Sequence, residues 1–208
     1  MSRFSETVLG EKEKREVPKS LFLWILLPLT GICFSAFMNL LLALLGVTLT
    51  EDPIAGNEFL QSFQNRLVLV ILIEAVIAPL LEEFLFRRVM FGLFRRFLPV
   101  YVAALIVSVI FGVLHFNLPQ GLYGFFFSFL LCEVTLLYGT WLAALVVHAA
   151  ANALALFMNY VPSVNEWAVQ HSLLIVIISG LLTAALILVM EFSLRKKGAP
   201  GGEGENKG

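Results

Sequence analysis

The sequence predicts an all-α fold: a polytopic membrane helical bundle of about six transmembrane helices, with both termini on the cytoplasmic side. Three observations carry that reading. The chain of 208 residues is 59% hydrophobic and only 14% charged, with a mean hydropathy of +0.90, whereas a soluble domain carries about a quarter charged residues. No lysine occurs between Lys19 and Lys196, and Asp52 is the sole aspartate. Apolar segments also recur at close to the roughly 20 residues that a bilayer requires.

Those segments are 21–47, 66–86, 100–116, 122–138, 141–160 and 171–193. The first is too long for the core of a signal peptide and no small-residue cleavage site follows it, so it reads as a retained span. The second stays apolar past its charged residues and continues as one helix to about Phe97. Pro79 within it lacks an N–H, frees a carbonyl one turn earlier and is expected to kink the helix. Arg3, Lys12, Lys14, Arg15 and Lys19 precede the first span, Arg95 and Arg96 follow the second, and Arg195, Lys196 and Lys197 follow the last. The alternate loops hold Glu51, Asp52, Glu58 and Glu166, with Arg66 the exception, which orients both termini inward. The expected organisation is a cytoplasmic segment 1–20, a membrane-embedded domain 21–194 and a disordered, Gly- and Glu-rich tail 195–208.

Composition excludes other classes. No basic face exists to bind nucleic acid, and the partner of such a chain is the lipid bilayer itself. Cys33 and Cys132 fall inside spans and have neither disulfide-framework nor metal spacing, so they read as small buried apolar residues.

The candidate functional residues are the polar groups inside apolar segments. A charge at the centre of a span costs roughly 2.5–3.5 kcal/mol on insertion scales, so Glu82, Glu83 and Arg87 call for a reason to be there. Glu83 and Arg87 are i,i+4 on one helical face and can form an ion pair. Glu82 points about 100° away, without a cation at helical spacing, and is the acid free to act as a general base. His148 and Asn152, also i,i+4, place two donors on one face of the fifth span, where they could stabilise an oxyanion. His115 in the third could hold water with Glu82. At 1.5 Å of rise per residue, Glu82, His115, His148 and Asn152 lie about 14–24 Å inside the cytoplasmic edge, a common slab.

Each group also has a plainer reading. A Glu–Arg pair serves as interhelical glue, a lone histidine packs, and His148 with Asn152 can simply bond across helices. Co-occurrence at one depth is what favours a shared site. Glu74 and Glu133 are further intramembrane acids, and either could line the same cavity. Among intramembrane hydrolytic chemistries, an aspartyl dyad needs two aspartates in spans, and neither a His-Glu-x-x-His zinc motif nor a Gly-x-Ser-x-Gly elbow occurs.

Three motifs stand in order: Glu82-Glu83-Phe84-Leu85-Phe86-Arg87, Phe111-Gly112-Val113-Leu114-His115 and His148-Ala149-Ala150-Ala151-Asn152. Over roughly residues 66–160 they resemble the CAAX protease and bacteriocin-processing family, also called Abi. Arg88 departs mildly from it, standing where many members carry a small residue. The resemblance implies an intramembrane endopeptidase acting on a membrane-associated protein or peptide by glutamate-activated water. Glu82 would be the base with His115 positioning water, His148 and Asn152 the oxyanion hole, and Glu83 with Arg87 the ordering pair. It implies no cofactor, the rival being a zinc enzyme with Glu82, His115 and His148 as ligands. A second rival is a non-catalytic bacteriocin-immunity or binding protein. The expected location is the cytoplasmic (inner) membrane of a prokaryote.

Overall fold

A computed structural model describes residues 17–47 and 66–198. Among them it shows seven helices: α1 (Leu21–Leu44), α2 (residues 67–94), α3 (Val100–Val113), α4 (Leu118–Tyr138), α5 (Trp141–Tyr160), α6 (Pro162–Gln170) and α7 (Ser172–Gly198). The chain is all-helical there, as its composition requires. By length and composition α1, α4, α5 and α7 can each cross a membrane, so the protein is an integral membrane protein. The short α3 has 14 residues, about 21 Å of helix against a hydrocarbon core of about 30 Å. Helix α6, begun by Pro162 and carrying Asn165, Glu166 and Gln170, is too short and too polar to register as an apolar segment. Helix α7 runs four residues into the tail expected to be disordered; residues 1–16, 48–65 and 199–208 lie outside the described residues.

Helix α2 departs most from simple expectation. It is continuous but alternates between α-helical stretches and two π-helical ones, Ile73–Ile77 and Phe84–Phe91. The first is the local answer to Pro79. The Ala78 N–H reaches back to the Ile73 carbonyl, and Pro79 has no N–H to give, so a widened turn absorbs the proline.

Packing follows from small residues. Helix α1 lies against α5 and α7, and α3 against α4. On α5, Ala143, Ala144, Val147 and Ala151 form a buried stripe that lets α1 approach closely, as small residues do in membrane bundles. At Gly31 the approach is closest: a Cβ there would collide with the Val147 carbonyl. Two polar ties pin the same region, Ser35 Oγ donating to the Ala151 carbonyl at 3.3 Å and Tyr138 Oη to the Leu23 carbonyl at 2.6 Å. A second core joins Phe86 and Phe91 of α2, Val107 and Phe111 of α3 and Cys132 of α4. Large apolar side chains such as Val68, Leu81 and Leu181 point outward, as a lipid-facing surface demands. Gly31→Val should separate α1 from α5 and cost about 1–3 kcal/mol, read as a lowered Tm in detergent.

Candidate active site

The site forms where α2, α3 and α5 meet between the two cores. Glu83 ends an α-helical stretch of α2, and Arg87 follows one turn later within the second π-helical stretch. The Arg87 Nη1 donates to Glu83 Oε1 at 2.9 Å, with both side chains fully buried. The same oxygen accepts from His148 Nδ1 of α5 at 2.7 Å. Glu83 therefore binds an arginine on its own helix and a histidine 65 residues away. A guanidinium and a hydrogen-bonding imidazole on one carboxylate offset much of the cost of removing it from water.

Because Nδ1 of His148 is committed to a carboxylate, it carries a proton, and Nε2 is the nitrogen left for chemistry. That Nε2 faces Glu82 Oε2 at 3.7 Å, too far for a direct hydrogen bond. Glu82 differs sharply from its neighbour in the chain: its side chain is 38% exposed where that of Glu83 is 0%. Adjacent carboxylates thus have different surroundings, one locked and one open. Aromatic rings wall the histidine, Phe127 edge-on at 5.1 Å and Phe111 at 6.2 Å between centroids. The Phe111 ring also lies under the Arg87 guanidinium at 4.9 Å, a cation–π contact in a desolvated setting.

His115 sits just past the C-terminus of α3, where the sequence pattern expects helix. Its Nδ1 donates to the Phe111 carbonyl at 2.8 Å, so its Nε2 is also open. Its ring lies 5.0 Å from that of Phe111 and is packed against Gly124 of α4, where a Cβ would come within 3.2 Å of it. His115 and His148 therefore flank one phenylalanine. Among the described residues no three His, Cys, Asp or Glu side chains are grouped to hold one ion.

Asn152 takes a position that spacing alone did not indicate. Its Nδ2 donates to the main-chain carbonyl of Glu74 at 2.8 Å. In the π register the donor for that carbonyl would be the N–H of residue 79, which proline lacks, so the asparagine supplies the missing bond. Pro79 was the signal that could have found this contact, since an orphaned carbonyl inside a membrane needs a donor. The Glu74 side chain is partly buried and within electrostatic range of Glu82, and Glu133 is partly buried on α4. Helical spacing pairs Glu83 with Arg87 alone; the reach of Glu83 to His148 comes from how α5 lies against α2.

Residues 64–154, from the start of α2 through most of α5, match the family described as Type II CAAX prenyl endopeptidase Rce1-like. That stretch is similar to an Rce1-like domain. All three motifs and every contact described above between α2, α3 and α5 fall inside it. The chain is also similar to a Bacillus subtilis (strain 168) protein named "Putative membrane peptidase YdiL", 31% identical over 117 residues. That match covers 54% of this chain and 46% of the relative, so the chain spans about half the length of the protein it resembles. No solved structure matches it.

Glu83→Gln should strand the Arg87 charge and cost about 3–5 kcal/mol, seen as a loss of monodisperse protein in detergent. Adding Arg87→Met in the same chain should recover part of that loss, because no uncompensated charge then remains. Asn152→Leu should cost about 1–3 kcal/mol through the freed Glu74 carbonyl, measurable as a lower Tm.

Proposed function

We propose that this protein is an intramembrane endopeptidase that hydrolyses a peptide bond near a membrane-associated end of a protein or peptide, using water activated by Glu82. The observation that carries the reading is the pairing of an open carboxylate with an imidazole whose far nitrogen is held by a buried one. Glu82 takes a proton from water as the oxygen attacks the scissile carbonyl carbon. His148, protonated on Nε2 and with its positive charge balanced by Glu83, donates to the oxygen of the tetrahedral intermediate. The Asn152 amide keeps a second N–H beside the one given to Glu74 and adds to that hole. The proton held by Glu82 then passes to the leaving amine, which releases both products. The open Nε2 of His115 accepts from the attacking water and fixes its direction.

Support for a peptidase comes from the similarity to an Rce1-like domain and from the name of the bacterial relative. The substrate class proposed is supported by the placement of these residues on helices of an integral membrane protein. The family name concerns prenylated CAAX tails; for this chain the proposal is the wider class of membrane-anchored proteins and peptides. The setting proposed is the cytoplasmic membrane of a prokaryote, with both termini inside.

Glu82→Gln should lower cleavage of a membrane-anchored reporter by at least about 10²–10⁴-fold while leaving Tm and helicity unchanged, because it keeps size and removes the base. Cleavage should survive exhaustive chelation; activity lost with chelator and restored by zinc would sink the metal-free mechanism.

A further inference from the structure

Among the described residues, five buried side-chain atoms make no hydrogen bond: Glu83 Oε2, Arg87 Nε, Arg87 Nη2, Ser108 Oγ and Ser128 Oγ. Their residues lie on three neighbouring helices, α2, α3 and α4. Orphaned groups of this kind are rare in folded proteins, and internal water is the usual partner where several converge.

The two serines depart from the other buried hydroxyls. Thr30, Thr135, Ser179 and Thr183 each fold back onto the carbonyl one turn earlier, and Ser35 crosses to α5. Ser108 and Ser128 do neither, although a carbonyl is available to each four residues back. Their hydroxyls are turned elsewhere.

Helix register indicates where. Across the α3–α4 contact, Gly112 meets Gly121 and Phe125, and Gly124 meets Phe111 and His115. One turn further from the connecting loop, that register sets Ser108 opposite Ser128. Ser108 is three residues before Phe111, whose ring carries the Arg87 guanidinium. Ser128 is one turn before Cys132, which lies against Arg87 and Glu83 and offers them only a weak acceptor. Two hydroxyls without a hydrogen bond thus stand within one helical turn of residues that touch the Glu83–Arg87 pair, whose Arg87 Nε, Arg87 Nη2 and Glu83 Oε2 also make none.

We propose that Ser108, Ser128, Arg87 and Glu83 form a binding site for internal water, which bridges the serine hydroxyls to the Glu83–Arg87 pair. The water accepts from Arg87 Nε and Nη2 and donates to Glu83 Oε2, so every charge-bearing atom of the pair is satisfied. Glu83 is then held from both sides, by water at one oxygen and by Arg87 and His148 at the other. Ser108 and Ser128 are positioning residues, and the site is independent of the peptidase reading because it rests on burial and hydrogen bonding alone.

Two measurements on the full chain in detergent or nanodiscs test it without an activity assay. Ser108→Ala with Ser128→Ala should lower Tm by several degrees, since the water loses two anchors. Removal of two truly orphaned hydroxyls would instead leave Tm unchanged or raise it, and that result overturns the proposal. X-ray hydroxyl-radical labelling should mark Cys132, which has 0% exposure, in the unmodified protein, and Ser108→Val with Ser128→Val should abolish the mark. An unlabelled Cys132 in the unmodified protein overturns the proposal whatever the Tm values show.

Discussion

The carboxylate of Glu83 is the interaction on which the rest of the site depends. It lies fully buried, and a single oxygen takes both the Arg87 guanidinium at 2.9 Å and the His148 imidazole at 2.7 Å. An isolated carboxylate in such surroundings would cost several kcal/mol and would take up a proton instead. With two cationic or proton-rich partners it becomes a fixed negative point joining α2 to α5. The orientation of His148, the tautomer it adopts and the direction of its free nitrogen all follow from that bond. Glu82, one residue earlier, inherits the opposite role because the helix turns it toward the accessible side.

Backbone accounting explains the second link between those helices. Within a bilayer every carbonyl must find a donor, and Pro79 removes one. The π-helical turn shifts the deficit to the Glu74 carbonyl, and Asn152 fills it. The His148 and Asn152 positions, one turn apart on α5, thus hold α2 at two points, one through a side-chain carboxylate and one through the main chain. Close approach of the supporting helices is possible because Gly31, Ala143, Ala144 and Ala151 present little bulk. The site is therefore supported from behind by α1 and α4, neither of which supplies a candidate catalytic group.

Aromatic residues set the dielectric of the cluster. Phe111 touches Phe86, Arg87, His115 and His148, so one ring shields the ion pair and separates the two histidines. Its place in the sequence motif is explained by this packing rather than by chemistry of its own. Phe127 closes the other side of His148 and lies outside any motif; only its burial in the tertiary structure identifies it.

By itself the sequence determined the membrane class, the helical content and the existence of polar residues too costly to be incidental, because hydropathy and the expense of burying charge are local properties. It also determined the Glu83–Arg87 pairing, since i,i+4 spacing survives in the helix that forms. It did not determine the rotation of one helix against another, and that rotation assigns His148 to Glu83, turns the open nitrogen toward Glu82 and sends Asn152 to a main-chain carbonyl. The π-helical turns of α2, the early end of α3 before His115 and the polar helix α6 were illegible for a related reason. A 3.6-residue pattern assumes an unbroken ladder, whereas proline, close packing and the partners met across the bundle decide where that ladder widens or stops.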